Sequence, residues 1–128
     1  MSEGGGATPQ DPPVVLDLGD LRVSPTAALF EGSDHSADVD TSIFVTRTPP
    51  GYFVELHVHP YAETFVLLAG KGRWTSADSV VELEPEGMIV VPPNTPHGFR
   101  NIGDESLLVV SVHERGKIEQ TWLGREPA

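Results

Sequence analysis

The stretch GYFVELHVHPYAETFVLLAG, residues 51–70, constrains the chain more than any other. It alternates apolar and polar residues as a strand does, and it places two histidines, His57 and His59, two positions apart. Side chains on a strand alternate between faces, so these two point the same way, separated by two rises of about 3.3 Å each. That spacing suits two ligands of one metal ion. Glu63 follows four residues after the second histidine, and Pro60 and Tyr61 mark the turn between. Neutral imidazole suits Zn, Cu, Fe and Ni, and a mixed nitrogen and oxygen set fits several divalent first-row metals. A further ligand has to come from elsewhere. His97, in VVPPNTPHGFRN, follows another apolar run through a Pro-rich approach and is the candidate.

Gly51, His57, His59, Glu63 and Gly70 match the first motif of the cupin superfamily, which this stretch resembles. Pro92, His97 and Asn101 match the second motif. Asn94 stands where that motif commonly has a glycine, and Gly87 lies one residue closer to Pro92 than the pattern has it. Asn tolerates positive φ better than most residues, which makes the first departure mild. The resemblance implies an all-β fold: a small cupin barrel of antiparallel strands, double-stranded β-helix or jelly-roll-like. It also implies a His57, His59, Glu63 and His97 site for a divalent transition metal (Fe, Mn, Ni or Zn). Pairing of such barrels into a homodimer is a further implication. A shared fold does not fix the chemistry, so the reaction stays open at this point.

The remaining sequence fits one domain. Residues 1–13, MSEGGGATPQDPP, hold three consecutive glycines and three prolines with no apolar cluster, and read as a disordered leader before a single domain over residues 14–128. VVLDLGDLRV suggests one or two short strands, and EGSDHSADVD an acidic loop carrying His35. SIFVTR reads as a strand ended by Pro49-Pro50-Gly51. In the next strand strict alternation puts Phe53, Glu55, His57 and His59 on one face. Gly70-Lys71-Gly72 is a hairpin signal, MIVV a buried-type apolar run, and LLVVSVH the last long strand. Residues 117–123 are expected to form a short closing strand, with Trp122 over the end of the core. Many short strands, frequent Gly and Pro turns and no helical periodicity argue for an antiparallel sandwich or barrel.

Composition narrows the partners. With 19 acidic residues, 8 Lys and Arg and a formal charge of −11, the chain is a poor binder of nucleic acid or anionic membranes. It has no cysteine, so disulfides and thiolate ligands are excluded and any metal is held by His and carboxylate. No apolar run approaches the roughly 18 residues of a membrane span and no signal peptide is evident, which fits a cytoplasmic protein.

Three histidines and a glutamate facing inward together would be expensive to bury unpaired, whereas a cation satisfies all of them at once. Glu55, on the expected ligand face, is a candidate general base or substrate contact. His113, with Ser111, is a candidate pocket-lining catalytic residue if its face of LLVVSVH is inward; that run is apolar at both parities, so the opposite orientation is equally open. Asn101 is expected to close the loop after His97 through backbone hydrogen bonds. Arg73, Arg100 and Arg115 are either carboxylate-binding or surface residues, and Phe53, Phe65 and Phe99 are expected to wall a small-molecule pocket. The leading expectation is a metal-dependent enzyme acting on a small organic molecule, with oxygenase or dioxygenase chemistry first. An open position on the ion would polarise an oxygen, lower the pKa of bound water to about 7 if zinc, or bind O₂ if iron. Isomerase, lyase or cyclase activity and a noncatalytic binding module are the alternatives.

Overall fold

The computed structural model of the protein describes residues 10–128; residues 1–9, most of the expected leader, lie outside them. Val14 and Val15 are exposed and outside regular structure. A strand is expected from VVLDLGDLRV, yet residues 18–21 form a 3₁₀ turn. The Asp17 carboxylate accepts the Gly19 N–H at 2.7 Å, which starts the turn. Only β1 (Arg22–Ser24) remains extended.

The strands that follow are β2 (Ala27–Glu31), β3 (Ser42–Thr48), β4 (Phe53–Val58), β5 (Glu63–Ala69), β6 (Gly72–Ser76) and β7 (Ser79–Leu83). The remaining four are β8 (Met88–Val91), β9 (His97–Asn101), β10 (Leu107–His113) and β11 (Thr121–Trp122). They form two antiparallel sheets, ordered β1-β2-β3-β10-β5-β8 and β11-β4-β9-β6-β7. The sheets pack face to face over Phe65, Leu67, Trp74, Val91, Phe99, Leu107 and Val109. This jelly-roll-like arrangement is the expected one. Among the described residues no helix is long and apolar enough to cross a membrane.

Three local expectations fail for identifiable reasons. Gly70-Lys71-Gly72 closes no hairpin, because β5 and β6 lie in different sheets and the chain crosses between them there. Gly70, at φ +90°, makes the corner; a Cβ on it would meet the Ser106 carbonyl at 2.6 Å. MIVV is not a buried run. As an edge strand, β8 turns Met88 and Val90 outward (59% and 62% exposed) and buries Val91.

The third failure is in β4. Register runs Val54 to Phe99 and His57 to His97, with an irregularity between. Two inward residues an odd number apart require an extra residue, a β-bulge at Glu55 and Leu56. Gly98 allows it, since a Cβ there would stand 2.5 Å from the Val54 carbonyl and 3.1 Å from that of Glu55. The bulge inverts parity below the histidines. Phe53 therefore lies outside, under the Arg100 guanidinium (4.7 Å), and Val54 turns inward.

Candidate metal centre

The bulge, the turn at Pro60 and the starts of β5 and β9 meet at one end of the barrel. There His57 faces His97 across β4 and β9, and Glu63 faces His113 across β5 and β10. One donor atom from each of His57, His59, Glu63 and His97 lies within 4.8 Å of all the others, and all four residues are buried. The four residues expected as ligands are thus brought together.

Each of these histidines is anchored through Nδ1 to a backbone carbonyl. His57 donates to Glu55 O (2.7 Å), His97 to Thr95 O (2.8 Å) and His59 to Glu119 O (2.9 Å). A carbonyl only accepts, so the proton of each neutral ring sits on Nδ1 and a lone pair remains on Nε2. The Asn94 N–H also donates to the His59 carbonyl at 2.7 Å. Asn94 has φ +59°, the left-handed backbone for which the family's usual glycine is suited, so its substitution leaves the loop intact.

The Nε2 atoms point at Glu63. Oε1 lies 2.9 Å from His97 Nε2 and 3.1 Å from His59 Nε2. His59 Nε2 is buried with no aligned hydrogen-bond partner. Lone pairs facing a buried carboxylate repel one another unless protons or a cation stand between them. This donor set of three imidazoles and one carboxylate fits a divalent transition metal ion. The anchoring of Nδ1 is the outer-shell arrangement that orients metal-binding imidazoles.

Burial lowers the His57 pKa from 6.5 to about 4, assisted by the neighbouring His97 and His59 and opposed by the Glu55 carbonyl and the Glu63 charge. Burial alone would raise Glu63, but in the metal-free cluster His113, His59 and His97, as proton donors toward the carboxylate, outweigh burial and hold it well below its usual range. Between pH 6.5 and about 4 the unfolded chain binds a proton at His57 that the folded chain does not. The metal-free protein should therefore lose stability as pH falls through that window, by up to roughly 3 kcal/mol, with Glu63 adding in the same direction at lower pH. Urea unfolding with chelator at pH 7, 5.5 and 4 checks this; constant or rising stability on acidification would contradict it.

His113 is inward, 1% exposed, and its Nε2 lies 2.9 Å from Glu63 Oε2. The contact is short without being an aligned hydrogen bond, as at His59 Nε2; a proton on His113 Nε2 would ease it and leave Nδ1 to accept from the Tyr61 hydroxyl at 2.9 Å. Tyr61 stacks on His59 and its oxygen accepts the Glu119 N–H at 3.3 Å. In the sequence Tyr61 reads only as part of a turn; its place two residues after His59 is the available signal.

Glu55 does not share the face of His57. It is exposed at the bulge and lines only a shallow outer depression with Phe53 and Trp122. Its carbonyl, not its carboxylate, serves the site. Arg73, Arg100 and Arg115 pair with Glu82, Glu126 and Glu119 on the surface. His35 stacks on Phe30, away from the cluster. Asn101 donates to the carbonyls of Thr48 (3.0 Å) and Glu105 (2.8 Å) and accepts the Gly103 N–H (2.9 Å), closing the loop after β9.

Beside His57 and Glu63, between the two sheets, lies a partly open cavity of about 250 Å³. Phe65 and Phe99 line it as expected, joined by Phe44, Val54, Val109 and Trp122. Trp122 is half exposed at the cavity, its ring 4.8 Å from His57.

A relative in Bacillus subtilis named H2HPP isomerase is 28% identical over 88 residues, covering 68% of this chain and 37% of its own. Oxalate decarboxylase structures share the fold. One, described as concerning an element that modulates proton-coupled electron transfer, gives a TM-score of 0.78 at 21% identity over 94% of this chain and 34% of that one. Another, from Bacillus subtilis, concerns Mn(II) centres and gives 0.70 at 22% identity over 78% and 29%. The chain thus spans about a third of the length of these proteins. The family described as "Cupin domain" matches residues 44–113, more than half of the chain and all four clustered donors. With the two antiparallel sheets and the histidine and glutamate cluster between them, that match makes the chain a member of the cupin family.

Proposed function

We propose that this protein is a metal-dependent enzyme that transforms a small organic molecule in the cavity beside His57, His59, Glu63 and His97, with oxygenation the first reaction to test. One observation carries the reading: four buried donors converge, three of them with Nε2 lone pairs fixed by Nδ1 hydrogen bonds, at the wall of an apolar cavity. When bound, Fe, Mn, Ni or Zn would supply a Lewis-acid centre or, as iron, a place for O₂. The chain's own residues do the rest. The histidines and Glu63 would hold the ion, and His113 with Tyr61 steadies the Glu63 carboxylate. Phe44, Phe65, Phe99 and Trp122 bind the apolar body of the substrate and keep water from it. With Nδ1 held by the Tyr61 hydroxyl and Nε2 buried against Glu63, His113 fits a positioning role better than direct contact with substrate.

A second reading is isomerisation, favoured by the relative of that activity. Iron-loaded protein should consume oxygen with members of a panel of phenols, diketones and amino-acid derivatives. Isomerised product without oxygen uptake would replace oxygenation by the second reading. Binding without any product would make the protein a noncatalytic module and overturn both.

A further inference from the structure

We propose that the cavity selects a mainly apolar molecule bearing a hydrogen-bonding group without negative charge at its far end, recognised there by the hydroxyls of Thr46 and Thr48. This rests on the reading of the cavity as the substrate site. Both threonines line it, their Oγ1 atoms are covered and without a hydrogen-bond partner, and Thr48 is only 1% exposed, so pairing with a ligand takes a turn about χ1 that brings each Oγ1 to the cavity. A buried hydroxyl left unpaired is destabilising, so a ligand group that pairs with it recovers that penalty, and one lacking such a group does not.

Strand register sets where those hydroxyls stand. Along β10, His113 pairs with Ser42, Val109 with Thr46 and Leu107 with Thr48, while His113 also pairs with Glu63. Thr46 and Thr48 are thus four and six residues along β3 from the rung that holds Glu63, roughly 13 and 20 Å of strand. A ligand of two carbons beside Glu63 would leave both unpaired. Between the ends the walls are Phe44, Phe65, Phe99, Val54 and Val109, with the Ser111 hydroxyl the polar group next to His113.

A negative charge at the threonine end is excluded by what the walls lack. None of the eight Lys and Arg residues lines the cavity. Arg73, Arg100, Arg115 and Lys117 are engaged with surface carboxylates. A carboxylate at the threonine end would lose its hydration with no cation to replace it, in a chain of formal charge −11.

The test uses the full chain loaded with Mn²⁺, its metal content measured first, and Trp122 fluorescence as the binding signal. The probes share one scaffold long enough to reach from the Glu63 end toward Thr46: 4-acetylbiphenyl, 4-acetyl-4′-hydroxybiphenyl and 4′-acetylbiphenyl-4-carboxylate. The hydroxy compound should bind about tenfold more tightly than 4-acetylbiphenyl, and the carboxylate at least tenfold more weakly than the hydroxy compound. In the T46V/T48V variant the hydroxy compound should fall to the affinity of 4-acetylbiphenyl, itself unchanged. Equal binding of the three probes by the wild-type chain, or a preference that survives in T46V/T48V, would overturn the proposal. Should the double variant not fold, T46V and T48V singly give the same readout. A chain that takes up no Mn²⁺ yet keeps the threonine-dependent preference would overturn the metal-enzyme reading and leave this one standing.

Discussion

Glu63→Ala is expected to weaken binding of a divalent metal ion by more than about 100-fold. The carboxylate is the one anionic donor of the cluster, and it faces three imidazoles at once: Oε1 toward His59 and His97, Oε2 toward His113. Removing an outer partner of a metal ligand weakens binding by roughly 10–100-fold, so removing a direct donor with its charge should exceed the upper end of that range. His113→Phe is the comparison. It deletes the contact to Oε2 and leaves every proposed ligand in place, so its loss should stay within about 10–100-fold. Competition with a chromophoric chelator measures both. Equal losses would place His113 among the ligands, and an unchanged Glu63→Ala affinity would remove Glu63 from them.

Trp74→Ala should destabilise the fold by about 3 kcal/mol. Trp74 is fully buried, stacked on Phe99 at 5.1 Å and edge-on to Phe65 at 5.7 Å. Gly72 makes its room, since a Cβ there would stand 2.5 Å from the indole ring. Deletion of a buried Trp or Phe side chain usually destabilises by about 3–5 kcal/mol. The lower end applies because the indole Nε1 is buried without an acceptor and its removal is favourable. For a domain of this size the melting midpoint should drop by roughly 10 °C. A drop smaller than about 3 °C would mean that the two sheets do not meet at this ring.

The two histidine-bearing segments were readable because their chemistry is local. His57 and His59 sit two apart, Glu63 follows a turn, and the residue types and spacings need no tertiary information. The inward set of β3 and β10 was not readable in the same way. LLVVSVH is apolar at both parities, and only pairing of β10 with β3 and β5 decides that Ser111 and His113 face inside. Glu55 was misplaced because alternation was extended through a bulge. The bulge is permitted by Gly98 on the neighbouring strand, 43 positions away, which no window along the chain connects to Glu55. Gly70-Lys71-Gly72 misled for a related reason: a glycine turn that reverses a strand within a sheet and one that passes between sheets use the same residues. Tyr61 and the threonines went unnoticed because their meaning lies in what they face.

Metal content of the protein purified without a metal-affinity column, followed by melting with and without chelator, tests the central claim most directly. The cluster of lone pairs around Glu63 predicts about one Fe, Mn, Ni or Zn ion per chain and a lower melting midpoint once the ion is stripped. A protein that carries no metal, takes none up and melts at the same temperature with and without chelator would contradict it.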